Sequence, residues 1–137
     1  MLIKQLSIFV ENRTGRLAEI AGILADNNIN LRSLSIADTS KFGVLRVIVD
    51  DPYGVEKLLS KIGLAVSVTS VVSVKMNDQP GSLSAVLKVL ADNNISVEYM
   101  YAFKGGSGDA YVVMRVDNDL AAQDVLTKAG FVGYTDF

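Results

Sequence analysis

The chain contains itself twice. Setting Gly15 against Gly81, an offset of 66, aligns GRLAEIAGILADNNINL (15–31) with GSLSAVLKVLADNNISV (81–97), and eight of the seventeen positions are identical. After one inserted residue the offset becomes 67, and LSKIG (59–63) meets LTKAG (126–130). A repeat on this scale fixes the architecture before any single element does, because whatever the first half builds the second builds again. The halves run from 1 to 69 and from 70 to 137.

Each half gives the same string of elements. In the first, Leu6, Ile8 and Val10 alternate with Gln5, Ser7 and Phe9, which predicts a strand with two distinct faces. Leu17, Ile20, Ala21 and Leu24 recur at helical spacing, and Asn27-Asn28 suits the left-handed residue that closes a helix. A strand is expected from Leu31 to Ala37, a turn from Asp38 to Gly43 and a β-branched strand from Val44 to Val49. Asp50-Asp51-Pro52 marks the start of a helix running to Lys61, and Val66 to Ser70 is the fourth strand. The second half repeats this with strands Val71–Met76, Val97–Phe103, Ala110–Val116 and Val132–Thr135, and helices Pro80–Asn93 and Leu120–Ala129. Two β-α-β-β-α-β units in tandem are an α+β, ferredoxin-like arrangement with antiparallel sheets and helices on one face. Halves of this size bury little core alone, and the stretch between Gly63 and Asn77 contains neither glycine nor proline, so no flexible linker fits there and the halves are expected to sit in a fixed relation.

Composition removes most chemistry. Half of the residues are apolar, and there is no cysteine, histidine or tryptophan. That excludes disulfides, thiolate nucleophiles, thiolate metal sites and any histidine-based triad, and it points to a reducing cytoplasmic setting. No apolar run is long enough to span a bilayer, and 13 basic residues scattered among 15 acidic ones offer no phosphate-collecting patch. Neither membrane nor nucleic acid is expected as a partner. The acidic clusters at Asp50-Asp51 and Asp117-Asn118-Asp119 lack the ligand spacing of a calcium loop and fit helix capping instead, so no metal or other cofactor is expected.

The most informative segments join the first strand to the first helix of each half: ENRTGRL (11–17) and NDQPGSL (77–83). Gly15 and Gly81 permit positive φ, and a helix N-terminus beyond them offers N–H groups and a positive dipole end. Such a corner suits a carboxylate or phosphate, although strand-to-helix turns favour glycine without any ligand. Asn12 is either a turn residue or a ligand contact, and Arg13 and Arg16 either reach a carboxylate or stay solvated. The KGGSGDA segment (104–110) leads into a strand and not a helix, so it is expected to be a mobile hairpin over a ligand and not a phosphate loop. Tyr99, Tyr101 and Phe103 alternate along one strand, opposite Met100 and Ala102, which are expected to face the helices. This stripe is expected to be covered by the other half or by another copy.

These residues resemble the ACT domain, a small ligand-sensing module of amino-acid metabolism. The ENRxGxL loop at Glu11–Leu17, the DxPGxL version at Asp78–Leu83 and the helix ending in ADNNI carry the resemblance across both halves. It implies binding of a free amino acid near the glycine loop, at an interface between paired ACT units. Serine-binding members use a loop asparagine and another before strand two, positions that look like Asn12 and Asn30. The implied contact set is Asn12, Arg13, Thr14, Gly15, Arg16, Leu17 and Asn30 in the first half. In the second it is Asp78, Gln79, Pro80, Gly81, Ser82 and Leu83. Asp78 and Ser96 replace the two asparagines there, and Thr14 replaces the usual proline. The expectation is a noncatalytic regulatory module for an amino acid, working as a homodimer or with a partner enzyme or regulator. The alternatives are an RNA-binding or a purely protein-interaction module, although the aromatic residues do not lie on the strands that RNA recognition would use.

Overall fold

The computed structural model describes residues 1–38, 41–105 and 108–134. In chain order the elements are β1 (Leu2–Glu11), α1 (Arg16–Asp26), β2 (Ser33–Asp38), β3 (Phe42–Ile48), α2 (Pro52–Lys61), β4 (Val66–Asn77), α3 (Ser82–Asp92), β5 (Val97–Lys104), β6 (Asp109–Val116) and α4 (Asp119–Lys128). The two strands expected on either side of Ser70 are one continuous strand, β4. The strand expected at 132–135 is absent from its described part, 132–134. Val132 nevertheless accepts a hydrogen bond from the Lys75 N–H at 2.8 Å, and Tyr134 donates its N–H to Ser73 Oγ, so this segment is tied to β4 without forming a ladder. Thr135, residues 39–40 of the expected turn and residues 106–107 of the expected hairpin lie outside the described residues.

Among the described residues two compact units emerge, one of Lys4–Thr69 and one of Met1–Ile3 with Ser70–Tyr134. In the first, β3 pairs antiparallel with β1 and with β2, matching Ile8 to Leu45 and Leu45 to Ile36. Leu6, Ile8 and Val10 therefore point to the side where Ile20 and Leu24 of α1 and Val55 and Leu59 of α2 pack, forming one buried cluster. In the second unit β6 pairs antiparallel with β4 and β5, and Val72, Val74, Val112 and Met114 pack against Val86 and Leu90 of α3 and Ala122 and Leu126 of α4. Each buried leucine or valine contributes on the order of 1.5–3 kcal/mol.

The duplication extends to single backbone bonds. Asn27 and Asn93 each donate Nδ2 to the carbonyl four residues back at 2.8 Å, while Asn28 and Asn94 take left-handed backbone at φ 56° and 57°. The next residues, Ile29 and Ile95, donate their N–H to Leu24 and Leu90 at 2.9 Å and turn their side chains to the core. The repeated ADNNI thus ends a helix by side-chain bond, left-handed turn and apolar clasp in succession. Asn94→Ala is expected to lose about 1 kcal/mol in urea denaturation, because alanine lacks asparagine's tolerance of that backbone, whereas Asn94→Gly should match wild type or exceed it.

Met100 and Ala102 stand opposite Met114 and Val112 on the helix side of β5. They are exposed all the same, because β5 is the outer strand of its unit and no helix covers it there. Phe103 on the other face stacks on Tyr111 and meets Tyr134 edge-on, with ring centroids 5.2 Å apart in both cases, so the covering of this end of the stripe comes from its own unit.

Candidate functional site

The four helices of the described residues begin in two different ways. Asp51 Oδ1 accepts from the Gly54 N–H ahead of α2, and Asn118 Oδ1 accepts from the Ala121 N–H ahead of α4, both at 3.0 Å. These are the acidic clusters, acting as helix caps. Ahead of α1 and α3 stand Gly15 and Gly81, at φ 86° and 91°, and no side chain caps either helix. The N–H groups at the starts of α1 and α3 are therefore left without a side-chain cap, unlike those of α2 and α4.

Backbone geometry at the two loops is the same. Arg13 and Gln79 donate to the carbonyls of Glu11 and Asn77 at 2.9 Å, and Arg16 and Ser82 donate to Arg13 and Gln79 at 3.2 and 3.3 Å. Side chains then diverge. In the first loop Arg16 Nη1 binds Glu19 Oε2 at 2.8 Å, while Arg13 bridges Glu19 Oε1 at 3.4 Å and Glu11 Oε2 at 3.3 Å. The bond from Arg16, with the charge of Arg13, holds the Glu19 carboxyl below the usual carboxylate range. A carboxyl depressed in the folded state supports the fold above its unfolded value of about 4.3 and loses that support as pH falls through the folded value. The Glu19 carboxyl resonance should accordingly titrate at lower pH in wild type than in Arg16→Ser.

In the second loop Gln79, Pro80, Gly81 and Ser82 line a cleft of about 570 Å³ together with Phe131 and Val132. Sequence reasoning missed Lys75, Met76, Asn77, Ala85 and the Gly130–Val132 segment as lining residues, because the last of these reaches the loop only through the fold. Asp78 does not line the cleft. It binds Lys104 Nζ at 2.8 Å, and that bond holds the lysine above its ordinary pKa. Leu83 packs on the core of its unit.

The structure separates the two asparagines of the first half. Asn12, Arg13 and Leu17 border a hollow of only about 60 Å³ with Ile36. Asn30 borders a different hollow of about 330 Å³ beside Asn27, Asp50 and Asp51. Between them lies the 11-residue α1, roughly 16 Å long. Within the unit, then, Asn12 and Asn30 do not line one hollow. Thr14 and Gly15 border neither of these hollows. Among the described residues no group of His, Cys, Asp or Glu is placed to hold a metal ion, and no helix is long and apolar enough to cross a membrane.

Residues 1–135 match the family described as an ACT domain pair. Protein BT0572 from Bacteroides thetaiotaomicron is 41% identical, with a TM-score of 0.90 over 97% of this chain and 93% of that one. The regulatory subunit of aspartate kinase from Thermus thermophilus, in its ligand-free form, is 14% identical with a TM-score of 0.63 over 94% of this chain and 97% of its own. Its counterpart from Thermus flavus gives 15% and 0.61, over 95% of both chains. At those identities the likeness is one of fold. None of the curated proteins matches the chain.

Proposed function

The chain belongs to the ACT domain pair family, and from that premise we propose that it is a noncatalytic regulatory module that binds a free amino acid at a glycine-loop corner. The observation that carries this is the contrast among helix starts: α2 and α4 are closed by side chains, whereas α1 and α3 begin uncapped behind left-handed glycines. An uncapped helix end binds a carboxylate through N–H groups and dipole, and nearby amides can both donate to a carboxylate and accept from an ammonium. The β-α-β-β-α-β order of Leu2–Asn77, followed from β4 by β-α-β-β-α to Lys128, supports the tandem layout, and regulatory subunits among the structural neighbours share that fold. Nothing in the corners pairs a nucleophile with a base, so sensing and not turnover is the reading.

Occupancy is read out by a second copy or by a partner enzyme or regulator in the cytoplasm. Leu17, Leu34 and Ile36, exposed by 45%, 57% and 46%, border an apolar hollow that supports a protein partner on the first unit. Nucleic acid is disfavoured because Phe103, Tyr111 and Tyr134 pack on one another and so offer bases no free stacking platform.

Thermal denaturation against the common L-amino acids tests the reading. The matching ligand at 100 times its dissociation constant should add about 2.7 kcal/mol. If every amino acid leaves the melting temperature where it was, the chain is not a sensor of this class.

A further inference from the structure

The two corners share a backbone but not a volume. At the offset of 66, the four members of the first loop's ionic cluster, Glu11, Arg13, Arg16 and Glu19, correspond to Asn77, Gln79, Ser82 and Ala85. All four of these line the cleft of about 570 Å³. The wall beyond is duplicated as well: Phe9 donates its N–H to Ala65 at 3.0 Å where Lys75 donates to Val132 at 2.8 Å, and Leu64 stands where Phe131 stands. In the first corner a guanidinium and a carboxylate bonded at 2.8 Å stand at the positions that Ser82 and Ala85 take in the second, and the Arg16 side chain is only 22% exposed. In the second, a hydroxyl and a methyl take far less room.

From this we infer that the duplication has divided its labour: the first corner is closed by its own ion cluster, and the second is the ligand site, holding one small carboxylate per chain. For the amino-acid class of that ligand the inference rests on the function proposed above. The cleft carries the argument, and its lining fits such a molecule. The start of α3 and the Ser82 hydroxyl supply donors for a carboxylate, and the Asn77 and Gln79 amide oxygens supply acceptors for an ammonium. Met76, Pro80 and Phe131 offer apolar surface to the side chain, which selects an apolar amino acid over a charged one. Lys75 lines the cleft but binds Asp109 at 2.9 Å, so it contributes positive potential already balanced by a neighbour. In the first corner any incoming carboxylate would have to displace Glu19 from Arg16 and Arg13.

The experiment is a titration of the isotope-labelled chain with the common L-amino acids and their α-keto acids, followed at four glycine amides. Gly81 and Gly130 report on the second corner, and Gly15 and Gly63 report on the first. The expected result is movement of Gly81 and Gly130 alone, with one ligand per chain by calorimetry. Ser82→Arg with Ala85→Glu transplants the ion pair and should weaken binding by about tenfold or more. Arg16→Ser with Glu19→Ala should leave it within about twofold of wild type. Movement of Gly15 and Gly63, two ligands per chain, unchanged affinity in the transplant or lost affinity in the first-corner double variant would each overturn the inference. If the transplant does not fold, the glycine map of the wild-type chain decides. If only α-keto acids move Gly81 and Gly130, the assignment of the corner stands while the amino-acid reading fails. If neither class binds, both fall.

Discussion

Gly81→Val should reduce ligand affinity by about tenfold or more, while Gly15→Val, the same change at the duplicated position, leaves affinity near wild type. Both glycines hold left-handed backbone, at φ 91° and 86°, and a Cβ at either would meet no atom within 4 Å. The stability cost therefore arises from backbone strain and not from a clash, and it should be alike in the two variants, at about 1–2 kcal/mol or somewhat more for a β-branched residue. Binding separates them. Gly81 lines the open cleft, so valine both distorts the loop and places methyl groups where a carboxylate approaches α3. Gly15 leads into a corner already occupied by Arg16 and Glu19. Urea denaturation and calorimetry on the two variants give the comparison. Equal loss of affinity in both would mean that the first corner takes part in binding after all.

Leu24→Ala and Leu90→Ala should each destabilise the chain by roughly 2–5 kcal/mol, the range for removing a leucine side chain from a packed interior. These leucines occupy equivalent positions in α1 and α3, are 2% and 1% exposed, and sit at the centre of the core cluster of their own unit. Each also accepts the N–H of the isoleucine that clasps the end of its helix. That bond is to the backbone, so alanine preserves it and the loss measures packing alone. Because folded domains are stable by only about 5–15 kcal/mol, either change consumes a large share. A loss below about 1 kcal/mol in denaturant titration would show that the neighbouring side chains collapse into the vacated space.

Elements with a local cause could be read directly from the residues. The alternation of Leu6, Ile8 and Val10, the helical spacing of Ile20 and Leu24, the ADNNI closure and the caps at Asp51 and Asn118 all depend on neighbours within a few positions, and the structure places each within a residue or two of expectation. The family, too, was legible, because the repeated glycine-loop pattern is a short-range signature.

Other features depended on partners far along the chain. Gln5 and Ser7, on the polar face of β1, are buried, with Gln5 Nε2 donating to Ser7 Oγ at 3.2 Å, although alternation alone would leave that face in water. The segment after α4 carries β-branched and aromatic residues suited to a strand, yet Gly133 lies so close to the Met1 and Ser73 backbones that a side chain there would collide with them. That contact joins the two ends of the chain, and no local pattern encodes it. The candidate site divides along the same line. Short-range chemistry identifies the glycine loops, but which loop is open is decided by whether the next turn of helix sends an arginine and a glutamate, or a serine and an alanine, into the same space. Only the packed fold turns that difference in side-chain volume into a filled corner and an empty one.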